Sequence, residues 1–176
     1  MLFGDIEAIM IFLRNTSFGT EYTVSLTDPK TEKRFTTTID LSQISLKINT
    51  NQPDEQGLFT TTLPKSGNIV KLKLLNTGDE LEINKMVDSY PANLIAPRVT
   101  WRLNKLIVSI DGNDDRNFIS TFIEKMPIMD SKHIRRFMVE CEPGFDLKKS
   151  VLAPSGEKVE FEITFGVDFF RPFFGI

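Results

Sequence analysis

The chain is poor in the residues that most often carry chemistry. Its 176 residues include one cysteine, Cys141, and one histidine, His133, which excludes an internal disulfide framework and a cysteine-rich zinc site. Cys141 falls in an apolar helical pattern and reads as a small buried hydrophobe in preference to a reactive thiol. There is no glycine-rich phosphate loop, no nucleophile elbow and no metal-ligand spacing. No apolar run approaches the roughly 18 residues of a membrane span. The start of the chain lacks the basic region of a signal peptide, and Glu7 interrupts the apolar stretch 6–13. Charge of one sign is scarce as well: the net charge is −3 and the signs are mixed along the chain, so no general attraction to nucleic acid or an anionic membrane follows. The expectation is a protein of a reducing, aqueous compartment that takes no cofactor and no metal.

The ionisable groups that remain read as structural. His133 reads as a solvated histidine near a helix start, with neither an orienting carboxylate nor a nucleophile beside it in the pattern. Asp114–Asp115 and Glu80–Glu82 stand where helices begin, where acidic groups offset the helix dipole. Thr36–Thr38 and Thr60–Thr62 are most simply strand residues. No catalytic residue is assigned. A small carboxylate-dependent hydrolase stays as the weaker alternative to a protein that works by contact.

What the chain does have is alternating helix and hairpin patterns. Asp5–Asn15 has apolar residues at Ile6, Ile9, Met10 and Leu13, one helical face, with Asp5 as a suitable cap. Tyr22–Leu26 and Arg34–Leu41 flank an Asp28–Pro29 turn as a hairpin. Ile44, Leu46 and Ile48 alternate as a short strand, and 49–57 is a polar loop. Leu58–Leu63 and Ile69–Leu75 pair around Pro64–Gly67. A helix follows at 77–89, with Leu81, Met86 and Val87 inward; in 91–105 Val99, Trp101 and Leu103 alternate as in a strand while Val99, Leu103 and Leu106 are spaced as in a helix, the favoured reading being a short helix after Pro97, and a strand follows at 106–110. Asp114–Met126 carries the stripe Phe118, Ile119, Phe122, Ile123 and Met126, and Asp130–Cys141 turns Ile134, Phe137, Met138 and Cys141 inward. The last hairpin joins 147–152 to 158–165 across Ala153–Gly156. The fold class is therefore α+β: antiparallel β-hairpins with four to five amphipathic helices. It reads as a single domain, 1–176, with lobes 1–49 and 127–176 around a central segment 50–126.

The two lobes match when the chain is moved by 125 residues. Asp5, Ile9, Phe12, Gly19, Ser25, Pro29, Glu32 and Lys33 meet Asp130, Ile134, Phe137, Gly144, Ser150, Pro154, Glu157 and Lys158, eight identities across positions 5–33. An internal duplication and two unrelated helix–hairpins sharing caps and turns both account for this.

The chain's end is the exception to its blandness. Six of its fifteen phenylalanines lie in the last sixteen residues. Phe161 and Phe165 belong to the last strand. Phe169, Phe170, Arg171, Phe173 and Phe174 form an aromatic segment interrupted by Pro172. Each buried phenylalanine stabilises by about 1.5–3 kcal/mol, so leaving several in water is unfavourable. Either the segment covers its own sheet, or these five residues bind a partner, since aromatic and arginine side chains dominate interface energetics.

A set of short motifs spread over the chain resembles the hub proteins of T-even-type phage baseplates. They run from Asp5-Ile6-Glu7 and Phe12-Leu13-Arg14-Asn15-Thr16-Ser17 with Gly19, through Thr38-Ile39-Asp40-Leu41, Ile44, Leu63-Pro64 and Ser66-Gly67. They continue with Ile107, Ser109-Ile110-Asp111-Gly112, Asp130-Ser131-Lys132 and Ile134-Arg135, and close on Pro154-Ser155-Gly156 and Phe169-Phe170-Arg171-Pro172. The resemblance is to the small distal hub subunit in particular. Related hub proteins often carry a cysteine pair in the first hairpin; here Asp28-Pro29-Lys30-Thr31 stands there, so zinc is not expected. The resemblance implies a structural part of the virion's tail baseplate, assembled in the host cytoplasm near the central spike, with other hub proteins as partners. An assembly factor that leaves before the particle matures is the alternative within the same family.

Overall fold

The computed structural model describes residues 1–170. The chain divides into two compact units. Unit 1 is Met1–Phe3 with Ile48–Pro143; unit 2 is Gly4–Lys47 with the residues from Gly144 onward. The fold class is α+β, with six helices and three small antiparallel sheets among the described residues.

Unit 1 is built on a three-stranded sheet in the order β3-β4-β5, from Phe59–Thr62, Ile69–Leu72 and Ile107–Ile110. Val70 and Leu72 of β4 point to the buried side, with Ile107 and Ile110 of β5 beside them. Helices α2 (Thr77–Asp88), α3 (Arg98–Leu106), α4 (Arg116–Glu124) and α5 (Ile128–Cys141) supply the rest of one aliphatic core. Local chemistry sets the helix starts. Asn76 accepts from the Asp79 N–H while the Asp79 carboxylate accepts from the Asn76 N–H, a reciprocal cap for α2. Asp115 accepts from the N–H groups of Asn117 and Phe118 at the start of α4. The β3–β4 turn relies on Gly67 at φ +76°. It is also held from α5: the fully buried Asp130 carboxylate accepts from the Lys65 N–H at 2.7 Å and the Ser66 N–H at 3.0 Å.

Unit 2 holds two separate hairpins. β1 (Glu21–Thr27) pairs with β2 (Arg34–Asp40), and β6 (Lys148–Leu152) with β7 (Lys158–Glu162). The long helix α1 (Phe3–Phe18) enters this unit from Gly4, and the short α6 (Val167–Phe170) ends its described part. The hairpins meet through Asp28: its carboxylate accepts from the Ser155 hydroxyl at 2.7 Å, the Ser155 N–H at 3.2 Å and the Lys30 N–H at 2.9 Å. Asp28 thus ties the turn of one hairpin to the turn of the other.

Several expected elements differ. Residues 44–48 do not form a strand; Leu41–Gln43 is a 3₁₀ turn, and only Leu46 makes a bridge, to Phe145. In α2 Ile83 is the buried hydrophobic residue, while Leu81 and Met86, expected inward, are exposed. Phe118 of α4 is also exposed, because Ile119 and Ile123 take the inward positions. Helix α5, grouped by sequence with the C-terminal hairpin, belongs to unit 1. The largest difference is in α1. Its buried residues are Gly4, Glu7, Ile11 and Arg14, and the stripe expected to face inward contributes Ile9 and Leu13 to the surface.

Candidate interaction surface

The aromatic end of the chain begins inside unit 2. Phe169 is fully buried, in a cluster with Ile11, Leu41, Leu147 and Ile163. Its ring lies edge-on to Phe165 at 5.0 Å, Phe170 at 5.2 Å and Tyr22 at 5.3 Å between centroids, the arrangement aromatic quadrupoles favour. Phe170 is partly buried against the same cluster. Arg171, Phe173 and Phe174 lie outside the described residues.

Two charged side chains of α1 are turned into this unit. Arg14 donates to the carbonyls of Gly19 at 2.8 Å and Glu21 at 3.0 Å, and its guanidinium lies 5.2 Å from the Phe18 ring centroid and 5.9 Å from that of Tyr22. A buried guanidinium is tolerated here because carbonyl oxygens and ring faces replace water around it. Its Nε has no hydrogen-bond partner among the described residues. Burial, and then the Asp168 carboxylate, push the Tyr22 phenol above its ordinary pKa, with Arg14 pulling the other way. Glu7 accepts from the Phe145 N–H at 3.0 Å, and a β-carbon on Gly144 would come within 2.6 Å of the same carboxylate oxygen. Glycine at 144 is what lets the chain pass that close to α1.

Turning Glu7, Ile11 and Arg14 inward leaves an apolar face outward. Ile9 is 45% exposed, Phe12 67% and Leu13 47%, spaced as neighbours on one side of the helix. The periodic stripe Ile6, Ile9, Met10 and Leu13 shares Ile9 and Leu13 with this face and does not include Phe12. The signal that it faces out was the spacing of Glu7, Ile11 and Arg14, which forms a second helical face. One polar face on a helix ordinarily points to water; here it is bound by unit 2 instead.

A model of one protein family, described as T4 bacteriophage base plate protein, matches residues 2–171. The chain belongs to that family. No curated protein and no solved structure matches it. As a baseplate protein it is a component of the phage tail and part of a multi-subunit assembly.

The remaining ionisable groups are engaged locally. His133 Nε2 lies 2.9 Å from the Thr61 hydroxyl and its ring stacks on Phe137; the expected solvated histidine is thus partly covered. Glu80 pairs with Arg102 at 2.9 Å, and Glu82 with Lys105. An open hollow of about 540 Å³ in unit 1 is lined by Lys73, Ile83, Met86, Trp101, Asn104, Lys105 and Arg116. Its cations are held by neighbours: Lys73 by Asp79, Lys105 by Glu82, and Arg116 by the carbonyl of Ile107. Among the described residues no group of three or more histidine, cysteine or carboxylate side chains is placed to hold a metal ion, and no helix is long and apolar enough to cross a membrane.

Proposed function

We propose that this baseplate protein is a structural component of the hub, acting in baseplate assembly through protein–protein contacts near the central spike, and not as an enzyme. The observation that carries the reading is the outward apolar face of α1, Ile9, Phe12 and Leu13. Apolar side chains grouped on one exposed helix face offer a surface that a neighbouring subunit can cover, and a multi-subunit baseplate supplies such neighbours. The C-terminal segment serves as a second contact. Phe169, packed in unit 2, fixes the segment's root, and Phe170, Arg171, Phe173 and Phe174 engage other hub proteins. Assembly takes place in the host cytoplasm before the tail is complete.

Two measurements test this. Mass spectrometry of purified particles is expected to find the chain in the baseplate; its absence from mature particles overturns the structural role in favour of a transient assembly factor. A chain ending at Phe170 is expected to remain folded and to lose hub proteins in a pull-down that the full chain retains. Equal recovery by both chains removes the C-terminal contact from the proposal.

A further inference from the structure

The helix–hairpin correspondence at an offset of 125 residues extends to the order of the elements, and two of their ends coincide. Shifted by that amount, the first residue of α1, Phe3, falls on the first residue of α5, Ile128, and the last residue of β1, Thr27, falls on the last of β6, Leu152. The two helices nevertheless bury opposite faces. α1 buries Gly4, Glu7, Ile11 and Arg14; the corresponding Met129, Lys132, Arg136 and Val139 of α5 are exposed. α5 buries Asp130, Ile134, Met138 and Cys141; the corresponding Asp5, Ile9, Leu13 and Thr16 of α1 are exposed. All four positions on each face are inverted.

What the α5 face covers is known. Ile134 and Met138 pack into the core with residues of α3, α4 and the sheet, and Asp130 accepts from the β3–β4 turn. The matching α1 face keeps the same apolar chemistry, Ile9 for Ile134, Phe12 for Phe137 and Leu13 for Met138, without such a layer over it. Its three apolar side chains expose roughly 350 Å² in total. A stable free-standing pair needs about 800 Å² on each partner, so this face is too small to hold a homodimer by itself. It suits one contact among several inside an assembly. A second copy is also a poor occupant because its own layer of this kind is covered by its α5.

We infer that the Ile9–Phe12–Leu13 face docks a different baseplate subunit, one presenting an uncovered hairpin-and-helix layer like the layer that α5 covers in unit 1. The inference rests on the proposed baseplate role and names the kind of neighbour that role requires. Its test uses the full chain with a photo-crosslinking side chain at the most exposed position, Phe12→p-benzoylphenylalanine, in cells producing the particle. After irradiation the chain is isolated under denaturing conditions and its adducts are mapped by mass spectrometry. Adducts to the peptides of another tail protein are expected. Adducts to this chain's own unit 1, to a second copy or to a host protein overturn the inference, as does an absence of adducts. In parallel, Phe12→Asp is expected to lower incorporation into particles more than tenfold with no change in thermal unfolding. A fall in unfolding temperature places the ring in the protein's own fold and also overturns the inference. Failure of the wider reading looks different: the unsubstituted chain is then missing from purified particles, whereas a chain present in particles without adducts from position 12 sinks only this face.

Discussion

The two units are held together by different means. Among the described residues unit 1 has a buried aliphatic cluster of thirteen on a three-stranded sheet, whereas the cluster in unit 2 has five buried residues, Phe169 among them. Among the described residues the sheets of unit 2 are two-stranded hairpins, which are marginal by themselves in water. It makes up the difference with charged groups turned inward: Glu7 on the Phe145 N–H, Arg14 on two carbonyls, and Asp28 across both turns. Many interchangeable contacts make a core tolerant of change at one position. A few specific ones do not, since each loss leaves a polar group or a ring without its counterpart.

The largest effect is therefore expected at Phe169. Phe169→Ala removes the ring that three other aromatics surround and should destabilise unit 2 by about 4 kcal/mol. Hydrogen exchange resolved by segment reads this directly: amides of β1, β2, β6 and β7 lose protection while those of β4 and β5 keep theirs. A chain ending at Asp168 should behave like the alanine variant, and one ending at Phe170 like the full chain. Equal loss of protection in β4 and β5 erases the contrast between the units. In unit 1 the most exacting single group is Asp130, and Asp130→Ala should cost about 2–3 kcal/mol by leaving the Lys65 and Ser66 N–H groups without their acceptor. Its signature is local, faster exchange at 65–66 before the sheet opens.

Acid separates the units more gently. Burial alone raises the Asp28 pKa, but hydrogen bonds from the Ser155 hydroxyl and from the N–H groups of Lys30, Ser155 and Thr31 outweigh it and hold the carboxylate below its ordinary value of 3.8. A depressed carboxylate contributes stability that is fully present above the ordinary value and lost as pH falls through the folded one. Unit 2 should therefore loosen as pH falls below about 4, and Asp28→Asn should flatten that dependence. Exchange at β1 and β6 between pH 5 and 2.5 measures it. An unchanged pH profile in the asparagine variant means that the clasp between the turns is not what acid releases.

The hairpins and α5 were legible in the sequence because their determinants are local. Gly67 and Gly156, at φ +76° and +85°, close turns whose flanking strands alternate, and Ile134, Met138 and Cys141 recur on one helical face that unit 1 covers. What failed were statements about direction. Periodicity marks a stripe as apolar without saying what lies against it, and in α1 the face that is buried is instead the one carrying Glu7 and Arg14. Only the carbonyls of Gly19 and Glu21 and the Phe145 N–H, brought in from elsewhere in the chain, make that side habitable. The aromatic end was legible as unusual composition. That its first ring, Phe169, roots in the unit's own core depends on Tyr22 and Phe165 meeting it, which no local pattern encodes.

The smallest expected effect tests the inversion of the two helices most directly. Ile9 and Ile134 are the same residue at corresponding positions, one 45% exposed and the other fully buried. Ile134→Ser should cost about 4 kcal/mol, since it opens a cavity and leaves a hydroxyl in an aliphatic core. Ile9→Ser should change stability by no more than about 0.5 kcal/mol, as surface substitutions away from special features do. Denaturant titration of the isolated chain gives both numbers, and a cost above about 1.5 kcal/mol at Ile9 means that the α1 face is already covered within the chain. The same Ile9→Ser variant, neutral in isolation, should compete poorly with the unsubstituted chain for incorporation when both are expressed in one cell. Stability and incorporation then part company at Ile9, whereas at Ile134 they fall together, because a face kept for a neighbour contributes only when the neighbour is present.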